Sequence, residues 1–281
     1  MVAEADNRHP APSLERLIRP GGVTVWTDPG LAATGTVIAF SQRTGGSSAP
    51  PFDTLNLATH VGDDPKAVDT NRTLLFDSLG IANLRRDLVT AEQVHGGRIA
   101  IVTRADAGAG AFSEGAPPIP ATDALVTDRV GLPLLMMYAD CVPVILVATH
   151  LRRAVCVVHA GWRGALSRLP GKAARLLASH AGCETSDLRA YIGPHIRACC
   201  YEVGEEILSH FCNSFDTIRA VDGRLDLTAA VRESLIECGV GEQRTAEVGV
   251  CTRDHADMLF SYRAAPVTGR HGALAVIAEG E

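Results

Sequence analysis

Three residues in this chain, two histidines and a cysteine, have side chains that could bind one transition metal together. His95, Cys141 and His159 each lie in a short stretch that is not obviously built for core packing. Two imidazoles and a thiolate suit zinc or copper, and three protein ligands leave one coordination position open. Because an open position is typical of a catalytic metal site, the trio predicts an enzyme.

The sequence around two of these residues predicts an antiparallel hairpin that brings them together. The runs 144–147 and 154–158 are apolar and β-branched, and a polar segment separates them. With the turn centred near Leu151, position 143 pairs with position 159. Cys141 and His159 are then diagonal neighbours with Cα atoms roughly 7–8 Å apart, close enough to share one ion. Nothing in the local sequence brings His95 to the same place.

The composition is that of a globular protein and argues against two classes of function. With 281 residues, 46% of them hydrophobic, the chain can fill one large core or two smaller ones. The net charge of −6 is well mixed, and no cluster of Lys and Arg with interleaved aromatic residues occurs, so we expect no nucleic-acid partner. The most apolar stretch, 132–148, is interrupted by Pro133, Asp140 and Pro143 and predicts no membrane span.

The N-terminus and the cysteines favour a reducing compartment. Residues 1–19 lack the basic segment followed by an apolar run that marks a secretory signal. Eight cysteines without a Cys-x-x-Cys pair are expected to be reduced thiols. We therefore expect a soluble, cytoplasmic protein, with a monomer favoured. Cys199 and Cys200 are adjacent, but no ligand-type spacing surrounds them, so the sequence does not predict a metal site there.

Strand-like and helical patterns predict an α+β fold. Residues 1–20 contain three prolines and are expected to form a loosely ordered leader. From 21 to 281 no repeat or linker divides the chain, which predicts a single compact catalytic domain with a mixed, largely antiparallel sheet and flanking helices. Besides the hairpin, strands are expected at 23–26, 36–40, 98–102, 246–250 and 273–277, and helices at 64–79, 172–179, 201–212 and 226–238.

Two polar segments in the first quarter of the chain have the character of functional loops. Arg43 precedes Gly45-Gly46-Ser47-Ser48, where its guanidinium and exposed backbone N–H groups could bind an anion. The same glycines and serines also suit an ordinary turn. Asn56 and His60 lie in the second segment, in which His60 could carry a proton or take a solvent-facing or capping role.

Two later segments place arginines beside aromatic residues. Trp162 and Arg163 follow His159 closely, so Arg163 is fixed near any metal that this histidine binds, and Trp162 offers a flat apolar wall. The flanking Gly161 and Gly164 permit a close approach of the backbone. Three residues near the C-terminus could stack on a base and contact an anion, or simply form a surface loop: Tyr262, Arg263 and Arg270.

Short motifs that match one known family run in order through nearly the whole chain. They are Arg43-Thr-Gly-Gly-Ser, Pro51-Phe-Asp-Thr-Leu-Asn-Leu, His60-Val-Gly-Asp-Asp, Asn71-Arg72, Gln93-Val-His-Gly, Thr122-Asp-Ala-Leu-Val-Thr, Ala139-Asp-Cys, His159-Ala-Gly-Trp-Arg-Gly, Ile192-Gly-Pro, Tyr201-Glu-Val-Gly and Thr268-Gly-Arg. On these motifs the chain resembles the laccase-domain (multicopper polyphenol oxidase type) family, also described as a purine nucleoside phosphorylase and peptidoglycan editing factor family. The Ala-Asp-Cys and His-Ala-Gly-Trp-Arg-Gly motifs are the most specific.

The resemblance implies a compact α+β fold with zinc bound at the positions of His95, Cys141 and His159. Family members are described as phosphorolysing adenosine, inosine, guanosine or methylthioadenosine and as deaminating adenosine. The older laccase label refers to copper-dependent oxidation of phenols. The family's Tyr-Arg-Arg pattern stands here as Tyr262-Arg263-Ala264, so a role of its second arginine does not carry over.

The resulting expectation is a zinc-dependent purine nucleoside phosphorylase with adenosine deaminase activity, in which copper could replace zinc. Its expected partners are purine nucleosides and phosphate. Arg43 and Arg163 are the expected phosphate ligands, and the catalytic set is completed by His60 and by Asp140, which could instead only order its turn. The expected substrate-binding residues are Arg43, Asn56, Trp162, Tyr262, Arg263 and Arg270.

Three alternatives remain open at the level of the sequence. A Cys-His hydrolase that edits peptidoglycan precursors would use Cys141 as the nucleophile and His159 as its base. A copper-dependent polyphenol oxidase is the second, although one His-His-Cys set does not supply ligands for the several coppers that such oxidases use. A metal-binding partner protein without turnover is the non-enzymatic alternative.

Overall fold

The strands in the described part of the chain form two six-stranded sheets. The computed structural model describes residues 11–218 and 222–278. The strands are β1 (Glu15–Ile18), β2 (Thr24–Thr27), β3 (Thr36–Ser41), β4 (Val89–Thr90), β5 (Ile99–Ile101), β6 (Ala124–Thr127), β7 (Leu134–Tyr138), β8 (Val142–Ala148), β9 (Ala154–Ala160), β10 (Arg189–Ile192), β11 (Thr245–Glu247) and β12 (His271–Ile277). The first sheet has the order β1-β2-β3-β12-β7-β4, and the second has the order β11-β10-β8-β9-β6-β5.

Most neighbouring strands in both sheets are antiparallel, and the pairs β4–β7, β5–β6 and β10–β11 are parallel. The predicted α+β class with mixed, largely antiparallel pairing is therefore confirmed. The strands are divided between two sheets, however, where the sequence predicts one. The division is possible because the chain passes directly from β7 in the first sheet to β8 in the second.

The helices of the described residues begin in two ways, three with an aspartate side-chain cap and three without a side-chain cap. They are α1 (Pro29–Ala32), α2 (Pro65–Ser78), α3 (Trp162–Leu166), α4 (Leu169–Ala181), α5 (Glu205–Ser214) and α6 (Leu227–Glu237). The side chain of Asp64 accepts a hydrogen bond from the Lys66 N–H at the start of α2, and Asp226 accepts one from the Ala229 N–H at the start of α6. Pro170 lies in the first turn of α4, where its missing N–H costs nothing.

The two sheets pack face to face, and helices cover both outer faces. Alternate side chains of β8 point to opposite sides: Ile145 and Val147 join the core between the sheets, whereas Val144 and Leu146 pack in the core that contains α4 and α6. On the other side, α2 covers the first sheet through side chains such as Leu75. Because both faces are covered, every residue of β8, β9 and β12 is buried.

The predicted loose leader is wrong for its second half. Residues 15–18 form β1, which pairs antiparallel with β2 at the edge of the first sheet. The prolines bound this strand and do not interrupt it: Pro12 precedes it, and Pro20 begins a 3₁₀ turn after it. The part of the prediction that concerns residues 1–10 lies outside the described residues.

Several other boundaries also differ from the predicted ones. Helix α5 starts four residues later than the predicted 201–212, because Tyr201 and Glu202 are extended and pair with the segment around Arg224. Strand β11 ends at Glu247 instead of residue 250. Within the described ranges, none of the helices combines the length and the apolar character that crossing a membrane requires.

Candidate metal centre

The structure brings together the three residues that the sequence singles out as metal ligands. One donor atom each from His95, Cys141 and His159 lies within 4.8 Å of the others. The two imidazole rings meet edge to face with centroids 4.8 Å apart, so both histidines can direct a ring nitrogen toward one point. Two imidazoles and a thiolate at this spacing fit a single zinc or copper ion.

The predicted hairpin positions two of the ligands. Strands β8 and β9 pair with Pro143 opposite His159 and Val142 opposite Ala160, which confirms the predicted register. Cys141 therefore lies at the open end of the hairpin, in the short crossover from β7 to β8. Asp140 within that crossover has a φ of 95°, a conformation that turns the chain sharply between the sheets.

Gly161 makes room for the centre. A Cβ atom at this position would lie 2.8 Å from Cδ2 of His95 and 3.1 Å from Sγ of Cys141. Both distances are shorter than ordinary carbon contacts, so a side chain here would push two ligands aside. The expectation that a glycine beside His159 permits close approach is thus met at Gly161.

A buried carboxylate that sequence reasoning missed holds two of the ligands. Oδ1 of Asp123 lies 2.8 Å from Nδ1 of His159, and the carboxylate also accepts hydrogen bonds from the backbone N–H groups of His95 and Gly96 at 3.0 and 2.7 Å. This leaves Nε2 of His159 for a metal, which is the usual carboxylate–histidine–metal arrangement. The position of Asp123 in the chain could have indicated this contact, because Asp123 directly precedes β6, and Ala124 of β6 pairs with Val158, next to His159.

The protonation of the centre follows from these contacts. Burial opposes ionisation of Cys141, but the charge of His159 and hydrogen bonds from both histidines outweigh it and lower the thiol pKa to about 6. Burial likewise opposes the charged form of His159, whereas Cys141 and Asp123 stabilise it and raise its pKa to about 9. Without a metal the pair is therefore a thiolate beside an imidazolium, and a bound cation would displace the imidazolium proton.

The three ligands lie in the wall of a cavity of about 390 Å³. This volume is within the range of small-molecule sites. Besides the metal ligands, aromatic and aliphatic side chains that include Trp162, Tyr201 and Tyr262 line the cavity. The cavity could therefore accept a flat, polar molecule that reaches the metal centre at one end.

Most of the predicted substrate and catalytic residues line this cavity: His60, Asp140, Trp162, Arg163, Tyr262, Arg263 and Arg270. The guanidinium of Arg163 stacks on the Trp162 ring at 4.3 Å, and among the described residues it has no hydrogen-bond or ion-pair partner. Arg263 donates to the Glu202 carbonyl, and Arg270 donates to the carbonyl of Thr268. Arg163 is thus the most available of the three positive charges for an anionic ligand.

Asp140 holds the walls of the cavity together. Its Oδ1 accepts a hydrogen bond from the Thr252 hydroxyl at 2.6 Å, and its Oδ2 accepts one from the Arg263 backbone N–H at 2.7 Å. Its carbonyl accepts from the N–H of Ile196. Because both carboxylate oxygens bind protein groups, the geometry favours the ordering role over the catalytic role among the two that the sequence left open.

Arg43 and Asn56 do not line the cavity, so the structure does not bring them together with the other predicted substrate residues. The Arg43 guanidinium forms an ion pair with Asp53, donates to the Asp53 and Ala256 carbonyls and stacks on Phe260, so its donors hold the loops together. Asn56 is fully buried, and its amide oxygen accepts the Arg270 backbone N–H at 2.8 Å. It therefore positions a cavity residue without reaching the cavity itself.

His60 differs from the arginines in charge. Burial is the largest cause that lowers its pKa, and repulsion by Arg270 and Arg72 lowers it further. Its imidazole is consequently neutral at pH 7 and can accept a hydrogen bond.

Gln93 is a second residue whose role the sequence did not reveal. Its side-chain amide donates to the Met137 carbonyl and accepts from the Met137 N–H, which fastens the segment before His95 to strand β7. This contact, together with Asp123, explains how His95 reaches the other two ligands. Its sequence signal is its place two residues before His95 in the Gln-Val-His-Gly motif.

Comparison with known proteins gives one consistent family. The family described as "Multi-copper polyphenol oxidoreductase laccase" matches residues 37–278. A purine nucleoside phosphorylase of Streptomyces coelicolor is 38% identical over 240 residues, which cover 84% of this chain and 93% of that protein. The purine nucleoside phosphorylase YlmD of Geobacillus stearothermophilus is 34% identical over 237 residues, covering 82% of this chain and 85% of the relative.

Solved structures of similar proteins have the same fold. YlmD from Geobacillus stearothermophilus superposes with a TM-score of 0.83 at 32% identity, covering 91% of this chain and 96% of that chain. The hypothetical protein YfiH of Bacillus licheniformis superposes with a TM-score of 0.81 at 30% identity, covering 90% and 96%.

Proposed function

The chain belongs to the multi-copper polyphenol oxidoreductase laccase family, and we propose that it is a zinc-dependent purine nucleoside phosphorylase. The observation that carries the proposal is the combination of a three-ligand His-Cys-His centre with a cavity lined by arginines and aromatic rings. The names of the relatives supply the substrate class, since several are called purine nucleoside phosphorylases.

Zinc fits the donor set, with His95, Cys141 and His159 as its ligands. The converging donor atoms and the Asp123 carboxylate behind His159 are what such an ion requires. A bound zinc ion would supply a Lewis acid at the cavity wall, which can polarise an oxygen of a substrate or activate water.

The phosphate substrate would be bound by arginines. Arg163 is the first ligand, because none of the described residues pairs with its guanidinium and its stacking on Trp162 limits its motion. Arg263 and Arg270 add positive charge on the cavity wall. Together they would hold the anion beside the ribose, where its oxygen attacks C1′.

The purine would stack against the aromatic side chains of the cavity. Trp162, Tyr201 and Tyr262 offer flat surfaces for this, and the neutral imidazole of His60 can accept a hydrogen bond from the nucleoside without adding charge. In the reaction the bond between C1′ and the purine nitrogen breaks, the purine leaves with the electron pair and takes up a proton, and ribose 1-phosphate is formed.

We propose adenosine deamination as a second reaction of the same site. The free coordination position and the neutral His60 in one cavity favour it, because deamination needs an activated water and a group that accepts its proton. The products are inosine and ammonia. Adenosine would therefore undergo two reactions. Phosphate distinguishes them, because phosphate is a substrate of phosphorolysis and not of deamination.

Product analysis tests the proposal. Zinc-loaded protein is incubated with adenosine, inosine, guanosine or methylthioadenosine, with and without phosphate, and the products are separated by liquid chromatography. We expect free purine and ribose 1-phosphate in equal amounts only with phosphate, and inosine from adenosine in either case. Removal of the metal by a chelator should abolish both reactions, and added zinc should restore them. Folded, zinc-loaded protein that releases none of these products would contradict the proposal.

A Cys-His hydrolase is the second candidate, because Cys141 has a lowered pKa and hydrogen bonds to both histidines. Alkylation distinguishes the two functions. If Cys141 is a zinc ligand, zinc should protect it from iodoacetamide, and activity should require the metal. Metal-free protein that hydrolyses a peptidoglycan-type amide and loses this activity on alkylation of Cys141 would favour the hydrolase. A parallel assay of copper-loaded protein with a phenol tests the oxidase reaction that the family's description names.

A further inference from the structure

A second group of metal-binding side chains lies on the two loops that follow β10 and β11. Donor atoms of Cys199, Cys200, Cys251 and Asp254 all lie within 4.8 Å of one another. The two cysteines in the first loop and the pair in the second are about fifty residues apart in the chain. This distance explains why no ligand spacing surrounds Cys199 and Cys200 in the sequence.

The fold brings these loops together by extending the parallel pairing of β10 and β11. His195 forms an isolated parallel bridge with Cys251, and the Thr252 N–H donates to the His195 carbonyl at 3.0 Å. After Cys251 the chain makes a helical turn, in which the His255 N–H donates to the Cys251 carbonyl. Residues three apart in such a turn point to the same side, so Cys251 and Asp254 face the first loop together.

We propose that Cys199, Cys200, Cys251 and Asp254 bind a structural zinc ion. Three thiolates and one carboxylate complete a tetrahedral shell with no position left for a substrate, which is the pattern of structural zinc sites. Cys200 and Cys251 are buried, whereas Cys199 and Asp254 are exposed, so an ion can enter from solvent and be held from inside. All eight cysteines are free thiols, which leaves the three sulfurs available as ligands.

The contacts among these four side chains require only a small adjustment for the ion. The Cys199 and Cys200 thiols each donate to an oxygen of Asp254 at 2.9 Å. Sulfur and oxygen ligands of one tetrahedral zinc lie roughly 3.5 Å apart, from bond lengths of about 2.3 and 2.0 Å. The ion would replace the thiol protons and move these donors slightly apart.

Zinc at this site would stabilise one wall of the cavity. The first loop carries Ile196 and Tyr201, and the second leads to Tyr262 and Arg263, all of which line the cavity. Both loops are hydrogen-bonded to Asp140, which precedes the ligand Cys141. The ion would therefore link the two loops on their solvent-exposed side, in addition to the hydrogen bonds that both loops form with Asp140.

Metal analysis of single variants tests the site. Zinc per chain is measured by mass spectrometry in the wild type and in Cys251→Ser, His95→Ala and Cys183→Ser. We expect about two zinc ions in the wild type and in Cys183→Ser, a partly buried cysteine outside both groups, and about one in each of the other variants. Equal zinc content in Cys251→Ser and the wild type would overturn the proposal. So would a disulfide between Cys251 and either of its neighbours in the purified protein.

An exposed ligand provides a second test if Cys251→Ser does not fold. Asp254→Asn keeps the size of the side chain, and we expect it to lose one zinc ion to a weak chelator at a concentration at which the wild type retains two. Retention of both ions by this variant would contradict the proposed shell. Because the readout is metal content, this proposal and the proposed function can fail separately. A protein with two zinc ions but no phosphorylase activity would contradict the proposed function and support this site. An active protein with one zinc ion would support the proposed function and contradict this site.

Discussion

The two groups of metal-binding side chains are held by the fold in different ways. His95 lies in the loop between β4 and β5, Cys141 directly precedes β8, and His159 lies near the end of β9; the three meet in the wall of a cavity. The Cys199–Cys200 pair and the Cys251–Asp254 pair come from two adjacent loops at the surface. The first group offers three donors beside a space for a ligand, and the second offers four donors, enough to enclose the proposed ion.

The carboxylates of the two groups also differ in position. Asp123 lies behind His159 and fixes its ring and the backbone of His95, so it would act on a bound metal only through another residue. Asp254 contacts the thiols directly and is itself a donor. In the proposed assignment, the number of donors and the place of the carboxylate distinguish the catalytic centre from the structural one, even though both contain cysteine.

The largest expected effect comes from removing a ligand of the cavity centre. Cys141→Ser should lower kcat/KM for phosphorolysis by about 1,000-fold, because loss of the metal removes several kcal/mol of charge stabilisation. The fold should persist, since the change replaces one sulfur by oxygen. Steady-state kinetics and thermal unfolding of Cys141→Ser and Cys212→Ser, a half-buried cysteine of α5, measure this. If Cys141→Ser were about as active as the control, the group in the cavity would not be the catalytic centre, and the proposed difference between the two groups would be wrong.

The next effect concerns the carboxylate behind the ligand. Asp123→Asn should weaken zinc binding at the cavity centre or lower activity by roughly 10- to 100-fold, the usual effect of losing such a partner. The amide can still hydrogen-bond but no longer carries the charge that stabilises the histidine. Zinc titration and kinetics are compared with Asp77→Asn on the exposed side of α2. If zinc affinity and activity are unchanged, Asp123 supports the fold alone.

The sequence predicted what depends on neighbours in the chain. The hairpin and the pairing of Pro143 with His159 follow from local patterns, and the structure confirms them. The division into two sheets could not be predicted, because strands buried on both faces lose the alternation that reveals which side they pack against.

The site was predictable where its residues flank the hairpin and unpredictable where contacts are long-range. His95 entered only through the family resemblance, since Asp123 and Gln93 hold it from elsewhere in the chain. Arg43 was assigned to substrate because a glycine-rich loop with arginine looks the same whether its donors face a ligand or other loops. Cys199 and Cys200 were set aside because Cys251 and Asp254 reach them only through the pairing of β10 and β11.

A smaller effect is expected from removing the positive charge of Arg163, and it distinguishes substrate binding from metal binding in the cavity. Arg163→Met should raise KM for phosphate about tenfold, the loss of one charge-assisted hydrogen bond, with little change in KM for the nucleoside or in zinc content. Arg152→Met is the control. Arg152 lies on the loop between β8 and β9, outside the cavity lining, and pairs with Asp128. A change in KM for the nucleoside alone would assign Arg163 to the purine and not to phosphate.

The smallest expected effect lies beside the Cys-rich cluster and concerns stability. Glu247 at the end of β11 forms ion pairs with Arg197, which precedes Cys199, and with Arg232 of α6. Burial raises the pKa of this carboxyl, but the hydrogen bonds and charges of the two arginines outweigh it and hold the pKa below its ordinary value of 4.5. The ion pairs therefore stabilise the fold above pH 4.5, and the contribution is lost as the pH falls through the lowered pKa.

Glu247→Gln should accordingly reduce the free energy of unfolding at pH 7 by about 1–2 kcal/mol, and the difference from the wild type should shrink as the pH falls below 4.5. Urea unfolding of chelator-treated protein at both pH values measures this without a contribution from metal. Phosphorolysis by the zinc-loaded variant should remain at the wild-type level, because Glu247 fastens the loop from outside the cavity. A stability difference that is as large at pH 3 as at pH 7 would show that the side chain acts through packing, and the loop of Cys199 would then depend on its metal more than on charge.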